Sequence, residues 1–367
     1  MIFCNNKLDY GAKSTYNPLT PQSEKGAGVN FTLKMKLHFS KTFAATAMVA
    51  ALVSSAFAAD VVEKGSINKP GVSVSEVLRY SQETTVKYSS IKGEGVRIRS
   101  FTDASIALNL DLGSIDAGGG TVDIATYNGN IALGDVQGNF LQISTNKGNI
   151  TIAGNVQALN NTASTINISS NGEMGTIVFD GATVSGVAIG NTCGSFVVNG
   201  NTALKDVCFE GGGVVEVAAG ASLTLDNVLF AGRDDSNKGN PAQTGLSLGD
   251  NATLTINAGD DSLGDVELLK VKDLTIGKGV DIVITLSNEK FEKLEDSEIK
   301  LFAVENGTVD FSNVTFTFTN GEQYKTGNIT STGGTIFITD VCIVPEPTTT
   351  TLSLLALAGL AARRRRK

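Results

Sequence analysis

Two pairs of neighbouring aspartates carry the most obvious catalytic potential in this chain, Asp234–Asp235 and Asp260–Asp261. Two carboxylates can act together in glycoside hydrolysis when about 6.5–9.5 Å separates them on one face. Adjacent residues of a strand point to opposite faces, so neighbouring aspartates are poorly placed for this work. The pattern favours solvated turn residues at both places, and we predict no catalytic residue.

The composition offers almost no histidine for catalysis or metal binding. The single histidine, His38, falls in a segment that is predicted below to be removed. Ser-His-Asp and Cys-His catalysis, acid–base work by histidine and histidine-bound zinc are therefore excluded from the mature protein. The chain also has no Trp and only 6% aromatic residues, which disfavours platforms on which sugars stack.

Calcium is the one metal that the residue types suggest. Hard oxygen ligands lie in Gly-rich turns at Asp250, Asp260, Asp261 and Asp265. However, neither the DxDxDG loop of EF-hands nor the GGxGxDxUx repeat of calcium-loaded β-rolls is present. We therefore predict no metal site and no cofactor.

The last residues, VPEPTTTTLSLLALAGLAARRRRK (Val344–Lys367), combine three features in a strict order. Two prolines hold the chain extended, and Leu352–Ala362 is uncharged and rich in strong helix formers. Residues 348–362 would reach about 22 Å as a helix, a marginal span of a hydrocarbon core about 30 Å thick. The basic residues that follow suit anionic headgroups on the cytoplasmic side. A short membrane-inserted tail fits this order better than a solvated basic tail.

This order of parts resembles the PEP-CTERM sorting signal. The residues that carry the resemblance are Val344, Pro345, Glu346, Pro347, Arg363, Arg364, Arg365 and Arg366. The resemblance implies processing near the prolines by an exosortase, a membrane-embedded cysteine transpeptidase of Gram-negative bacteria. It further implies a mature protein that is exported through the inner membrane to the cell surface, outer envelope or extracellular matrix.

The other end of the chain has the order of a secretory signal peptide over residues 35–58. Lys36 and Lys41 provide the basic start, and an apolar run follows that is too short for a convincing transmembrane helix. An A-x-A pattern predicts cleavage by signal peptidase after Ala58; the residues at this junction are Ala56, Ala58 and Ala59. Residues 1–34 show no periodicity, and we interpret them as a doubtful leader before an initiator at Met35.

The remaining segment is acidic. Between Asp60 and Ile343 the chain holds 18 basic and 34 acidic residues, a formal net charge of −16. Such a protein repels phosphate groups, so we expect no nucleic-acid partner. Secretion permits a Cys193–Cys208 disulfide. The alternative, which the repeats favour, makes Cys208 a small buried residue, because neighbouring repeats carry apolar residues at its position.

Short internal repeats indicate the architecture. Gly181, Gly200 and Gly220 open three units at an almost constant step, and Val187, Val207 and Val228 follow at nearly the same step. Short apolar–polar alternations between Gly, Asn and Asp turns predict strands, and a period of roughly 20 residues is typical of a β-solenoid. We expect the three valines to stack in one buried ladder. A β-sandwich is the alternative, although it does not explain the constant step.

The predicted fold is therefore all-β: a right-handed parallel β-helix (β-solenoid) of roughly 20-residue coils, followed by a short apolar C-terminal helix. We assign 59–112 to an N-terminal cap and first strands, 113–343 to the β-solenoid and 344–367 to the sorting signal. Two short helices are expected, over Ser75–Gln82 and Ser287–Asp296, the second with Phe291 and Leu294 as its buried side. The units resemble autotransporter passengers and adhesin-like solenoids of bacterial surfaces.

The predicted function is that of a non-catalytic surface or extracellular-matrix protein, adhesin-like or a structural rod. Exosortase and signal peptidase are the expected processing enzymes, the inner membrane is a transient location, and a surface polysaccharide or matrix is the expected environment. The alternative is a carbohydrate-active enzyme, a hydrolase or lyase, on the same scaffold. An enzyme would need a groove in which several carboxylates or aromatic residues converge, whereas a rod or adhesin needs only a flat polar face.

Overall fold

Apolar and polar residues alternate between turns through most of the chain, and this period of two is the period of a strand with one buried face. The computed structural model accordingly contains 27 strands, one short helix and one 3-10 turn among the residues that it describes. All of these residues belong to the larger of two units into which the chain divides; the smaller, 5–58, lies outside the described part. The described ranges are 60–100, 105–160, 164–169, 175–191, 194–211, 213–230, 244–259, 268–296, 299–306, 310–332 and 335–343.

The smaller of two sheets has seven strands, and all of its described pairings are parallel. In chain order its strands are β2 (Val74–Leu78), β4 (Val96–Ser100), β6 (Thr121–Thr126), β8 (Phe140–Thr145), β11 (Thr165–Ile168), β14 (Ala188–Asn191) and β17 (Cys208–Glu210).

The larger sheet has twenty strands. It begins with four long strands, β1 (Asp60–Asn68), β3 (Thr84–Lys92), β5 (Leu108–Asp116) and β7 (Ile131–Gly138). Each later repeat contributes two strands in place of one. The first series is β9 (Ile150–Ile152), β12 (Thr176–Asp180), β15 (Ser195–Asn199), β18 (Gly213–Val217), β20 (Thr244–Leu248), β22 (Leu269–Ile276) and β24 (Ile299–Asn306). The second series is β10 (Asn155–Ala158), β13 (Thr183–Ser185), β16 (Asn201–Lys205), β19 (Ser222–Asp226), β21 (Thr253–Gly259), β23 (Val280–Leu286) and β25 (Val314–Thr319).

Each strand of a series pairs in parallel with the equivalent strand of the next repeat. Leu110 lies opposite Ile131, and Ile131 in turn lies opposite Ile150. The step is longer where the chain inserts a segment between strands, as between Val215 and its partner Leu246. The predicted period therefore holds in the middle of the chain, while insertions lengthen the connections without changing which strands pair.

The core consists of side chains that stack in columns along these pairings. One column runs through eight consecutive repeats and is buried throughout: Val86, Leu110, Ile131, Ile150, Ile177, Phe196, Val215 and Leu246. In-register pairing places identical positions of successive strands about 4.8 Å apart, so each apolar side chain is covered on both sides by its equivalents.

The valine ladder predicted from the repeats is confirmed. Val187, Val207 and Val228 are all buried, and each precedes one of the register partners Ala188, Cys208 and Leu229. The backbone joins the three repeats directly, because the N–H of Cys208 donates to the carbonyl of Val187 at 3.2 Å and the N–H of Leu229 to that of Val207 at 2.9 Å.

The glycines that open the repeats occupy one kind of corner. Gly181, Gly200 and Gly220 have φ of 66°, 65° and 71°, in the left-handed region that favours glycine. Asn251 takes over this corner in the next repeat with φ of 57°, and asparagine is among the residues that tolerate this conformation best. The constant glycine step thus reflects a backbone requirement at the turn.

The prediction that Cys208 occupies a core position is wrong. Cys208 is only partly buried, and its partner in the next repeat, Leu229, is 48% exposed. The inward positions on these strands belong to their neighbours, since Phe209 and Phe230 are buried with ring centroids 5.1 Å apart. The apolar character of a residue therefore does not decide which face of the sheet it occupies. The alternation along the strand decides it, and the flanking valine and phenylalanine take the inward positions. Cys193 lies outside the described residues, so the alternative of a Cys193–Cys208 disulfide is not tested.

Of the two predicted helices, one is wrong and one is confirmed. The segment Ser75–Gln82 begins as strand β2, because Val74 and Leu78 turn inward at the strand period and pair with β4. Tertiary pairing outweighs the weak helix propensity of so short a segment. The second segment forms helix α1 (Asn288–Glu292) and a 3-10 turn (Lys293–Asp296), with Phe291 and Leu294 buried as expected.

An antiparallel hairpin ends the described chain. Strands β26 (Tyr324–Thr332) and β27 (Thr335–Ile343) pair with each other, β26 also pairs with β25, and β27 also pairs with β24. The hairpin thereby covers the outer edges of the last two parallel strands, which would otherwise present unpaired backbone groups.

The observed fold class is all-β with parallel sheets. Parallel pairing begins at Asp60, inside the segment 59–112 that the sequence assigns to a cap and first strands. The expected apolar C-terminal helix lies outside the described residues.

Candidate functional site

The residues predicted for processing lie just beyond both ends of the described chain. The described part begins at Asp60, immediately after the predicted signal-peptidase junction at Ala56, Ala58 and Ala59, and ends at Ile343, immediately before Val344. The rest of the predicted sorting residues therefore lie outside it: Pro345, Glu346, Pro347, Arg363, Arg364, Arg365 and Arg366. Their folded neighbour is strand β27.

Strand β27 runs directly into the sorting segment without an intervening loop. Ile343, its last residue, lies opposite Lys325 of β26, and Cys342 lies opposite Thr326. An extended chain advances at most about 3.6 Å per residue, so the Pro-Glu-Pro segment begins within about 10 Å of the sheet. Processing of the sorting segment must therefore take place next to folded structure.

The partner strand β26 is anchored by a buried lysine. Lys325 is 1% exposed, and its Nζ donates a hydrogen bond to the carbonyl of Phe291 at 2.7 Å while lying 4.6 Å from the centre of that residue's ring. A buried ammonium needs such partners, because leaving it unpaired away from water is costly. The contact ties the C-terminal hairpin to helix α1.

Most of the predicted carboxylate candidates lie outside the described residues: Asp234, Asp235, Asp260, Asp261 and Asp265. The remaining one, Asp250, uses its Oδ1 to accept the backbone N–H of Lys278 at 2.8 Å, which is a turn-stabilising role. Within the described ranges, no group of three or more His, Cys, Asp or Glu side chains is placed to share a metal ion.

Two described carboxylates on the larger sheet are paired with cations across neighbouring strands. Lys87 contacts Asp111 at 3.2 Å and Lys92 contacts Asp116 at 2.9 Å, both between β3 and β5. The Lys92 ammonium, with a smaller contribution from the N–H of Gly118, lowers the pKa of the Asp116 carboxyl. Sequence reasoning missed these pairs, although one signal was present: each acid follows its base at the same interval along the chain.

A third ion-pair group lies on the smaller sheet. Asp123 of β6 faces its register partner Arg97 at 3.2 Å and is also contacted by Arg99 at 2.7 Å. Charge pairs therefore join the second and third repeats on both sheets. The two lysine pairs on the larger sheet are exposed, and exposed pairs stabilise a fold by only about 0–1 kcal/mol each, so their main effect is on register and surface character.

The N-terminal edge carries an inward-facing carboxylate. Glu76 of edge strand β2 lies opposite the buried Ile98, and the buried Tyr88 donates its hydroxyl hydrogen bond to the Glu76 carboxylate. Burial, and secondarily this bond, raises the pKa of the Tyr88 hydroxyl above its usual range. An inward charge on an edge strand discourages pairing with another chain.

Two hollows lie on the outer surface of the larger sheet, with volumes of about 230 and 340 Å³. Asp116 and Asp135 both line the larger hollow, in which no aromatic side chain takes part. Asp116 is engaged by Lys92, and Asp135 accepts the backbone N–H of Asn155 at 2.9 Å. Both carboxylates thus already have structural partners.

Comparison with known proteins identifies the C-terminal segment. Residues 344–367 match the family model of the PEP-CTERM protein-sorting motif. No curated protein and no solved structure matches the chain significantly, so the resemblance of the body to autotransporter and adhesin repeats is not confirmed. In the described part of the chain, no helix has the length and hydropathy to cross a membrane. The sorting motif supports an exosortase substrate that is exported and found at the cell surface or outside the cell.

Proposed function

We propose that the chain is a non-catalytic surface or matrix protein of a Gram-negative bacterium, built as a right-handed β-solenoid rod and sorted by an exosortase. The observation that carries the proposal is the continuous in-register stacking of one strand series, from β1 to β24, which leads through the terminal hairpin into the sorting motif. Eleven strands at about 4.8 Å correspond to a rod of about 50 Å.

The surface of the described chain supports a structural or adhesive role. The outward positions of β19, β21 and β25 carry Thr and Ser, as in Thr224, Thr255 and Thr317, which are register equivalents together with Val283. The engaged carboxylates and shallow hollows offer few groups for chemistry. A flat polar face of this kind suits contact with surface polysaccharide or matrix, and signal peptidase and the inner membrane are the transient partners of export.

The alternative function, a carbohydrate-active enzyme, has one observation in its favour. Asp116 and Asp135 share a hollow of about 340 Å³, and two carboxylates in one hollow could act on a sugar polymer. The enzyme hypothesis requires Asp116 and Asp135 to be released from their present partners, Lys92 and the backbone N–H of Asn155. In a structural rod, the two carboxylates keep these partners.

A deletion strain separates the two functions. Cells that lack the protein are expected to lose attachment to a surface or matrix, and the wild-type gene is expected to restore it. The paired variant Asp116→Asn/Asp135→Asn should restore attachment equally well, because the stacked columns do not depend on these charges. Purified protein should release no reducing ends from the cells' own polysaccharide. Polysaccharide cleavage that the double variant abolishes would establish the enzyme instead.

Terminal sequencing of the secreted protein tests the predicted start of the mature chain. The first residue is expected to be Ala59, because the basic, apolar and small-residue regions of residues 35–58 have the order that signal peptidase requires. A matched Ala58→Leu variant should accumulate as an uncleaved precursor. Peptides from residues 1–34 in the mature protein would contradict the assignment.

A further inference from the structure

The C-terminal half of β27 pairs with one described strand, whereas its N-terminal half pairs with two. Strand β24 pairs with β27 only between Thr335 and Ile338, so this part of β27 lies between two strands. From Thr339 onward, the described pairing partner is β26 alone. The half of the strand that adjoins the sorting motif therefore lies at an edge of the sheet.

A β-bulge separates this end from the rest of the strand. Asn328 lies opposite Thr339 and Thr326 lies opposite Cys342, so two steps along β26 correspond to three along β27. Such a bulge leaves an extra residue unpaired and locally disrupts the ladder. Beyond it, the strand pairing of the last residues of β27 consists, among the described residues, of the pairs Thr326–Cys342 and Lys325–Ile343.

The two strands of this terminal pairing are not equally fixed. Lys325 anchors β26 to helix α1 through its bond to the Phe291 carbonyl, and Thr326 Oγ1 donates to the carbonyl of Phe316 at 3.0 Å. β26 is thus held by two elements besides β27. β27 contacts the 3-10 turn (Lys293–Asp296), but β26 is the one described strand that pairs with its last residues. If the terminal pairing opens, the end of β27 therefore separates on the side that continues into the sorting motif.

A transpeptidase needs space around the peptide that it binds, and the pairing of the end of β27 with β26 occupies that space. Its thiolate must reach a peptide carbonyl, and enzymes that act on peptides commonly bind them extended, with main-chain hydrogen bonds to the enzyme. Cys342 and Ile343 immediately precede Val344, so their backbone would contact the enzyme while it is still paired with β26. Paired and enzyme-bound states of these residues exclude one another.

We propose that residues Val341–Ile343 separate from β26 as a unit before the exosortase acts, so that the end of β27 controls access to the sorting motif. This inference rests on the exosortase processing assigned above. Local opening of a short strand end beyond a bulge needs only a small part of the global stability. The body can therefore stay folded while its last residues are released to the enzyme.

A single substitution can lock the strand end. Thr326→Cys places a second thiol opposite the native Cys342, and directly opposed residues of antiparallel strands lie about 4.5–5.5 Å apart between Cα atoms, within the range that a disulfide spans. The oxidised precursor is expected to be processed at least tenfold more slowly in exosortase-containing membranes. Reduction of the same sample with dithiothreitol should restore the rate, which controls for the substitution itself.

A second cross-link tests whether only the end must open. Ser331 and Ile336 face each other on the other side of the bulge, so Ser331→Cys/Ile336→Cys ties the hairpin together near its turn. This variant should be processed at the wild-type rate when oxidised. Cys342→Gly, which weakens the terminal pairing without a cross-link and leaves the bond from Thr326 to the Phe316 carbonyl in place, should be processed about two- to fivefold faster, because glycine has low strand propensity.

The outcomes separate the possible errors. Equal processing of the oxidised and reduced Thr326→Cys protein would overturn the opening step while leaving exosortase sorting intact. Slowing by the Ser331–Ile336 cross-link as well would show that the whole hairpin opens, which contradicts a unit limited to Val341–Ile343. If the membranes do not process the unmodified protein at all, the assignment of this protein as an exosortase substrate is itself wrong.

Discussion

Val207→Asp is expected to cost about 4 kcal/mol or more in free energy of unfolding, enough to disrupt the middle of the stacked chain. Val207 is buried between Val187 and Val228, so the substitution places a carboxylate in an apolar column without a partner. Each repeat is stabilised by its neighbours, and the damage should spread to both adjacent repeats. Urea denaturation measures the loss, and hydrogen exchange at the amides of Cys208 and Leu229 locates it.

A matched control uses the same substitution on an outward strand position. Val178, on β12, is only partly buried, and its register partners are Thr151 and Val197. Val178→Asp keeps its carboxylate at the surface and should cost about 1 kcal/mol or less. Equal losses for the two variants would show that the valine column is not a continuous core.

Pro345→Ala/Pro347→Ala is expected to leave the protein in the membrane and to reduce its surface fraction at least tenfold. The substitutions remove the Pro-Glu-Pro part of the sorting motif but keep the apolar run, so the enzyme should no longer act while the predicted membrane anchor remains. Fractionation of cells followed by detection of the body measures the ratio of membrane-bound to surface protein. The retained precursor should also be longer than the mature protein.

Thr348→Ala/Thr349→Ala provides the control for this experiment. It changes two residues immediately after the Pro-Glu-Pro segment and preserves both prolines and the apolar run. Normal surface delivery is expected for this variant. Normal delivery of the double proline variant as well would show that sorting does not depend on the Pro-Glu-Pro segment.

Several structural features were predictable because they depend on residues close together in sequence. The glycine corners and the valine ladder follow from a near-constant step that is visible in the chain itself. Helix α1 with its buried Phe291 was predictable for the same reason, since its apolar residues lie within one or two turns of each other. The sorting motif occupies one continuous segment and needs no folded context.

Other features required knowledge of which residues face each other. Cys208 and Leu229 are apolar but point outward, because the face of a strand residue is set by the register of the whole ladder. Ser75–Gln82 contains the edge strand β2, because backbone pairing with β4 stabilises it more than local helix propensity does. The basic residues that pair with Asp111, Asp116 and Asp123 lie on the neighbouring strand of the same sheet. The connecting loops determine how far apart in sequence the two partners of each pair are.

Local spacing, backbone preference and a contiguous motif were enough to establish the all-β class, the corners and the C-terminal sorting signal. How the folded body meets its own sorting segment depends instead on strand pairing. Nothing in the order of residues shows that β27 ends at Ile343, that β24 releases it after Ile338 or that Lys325 anchors its partner strand. Those relations join segments that are far apart in the chain, and they exist only once long-range pairing has brought the segments together.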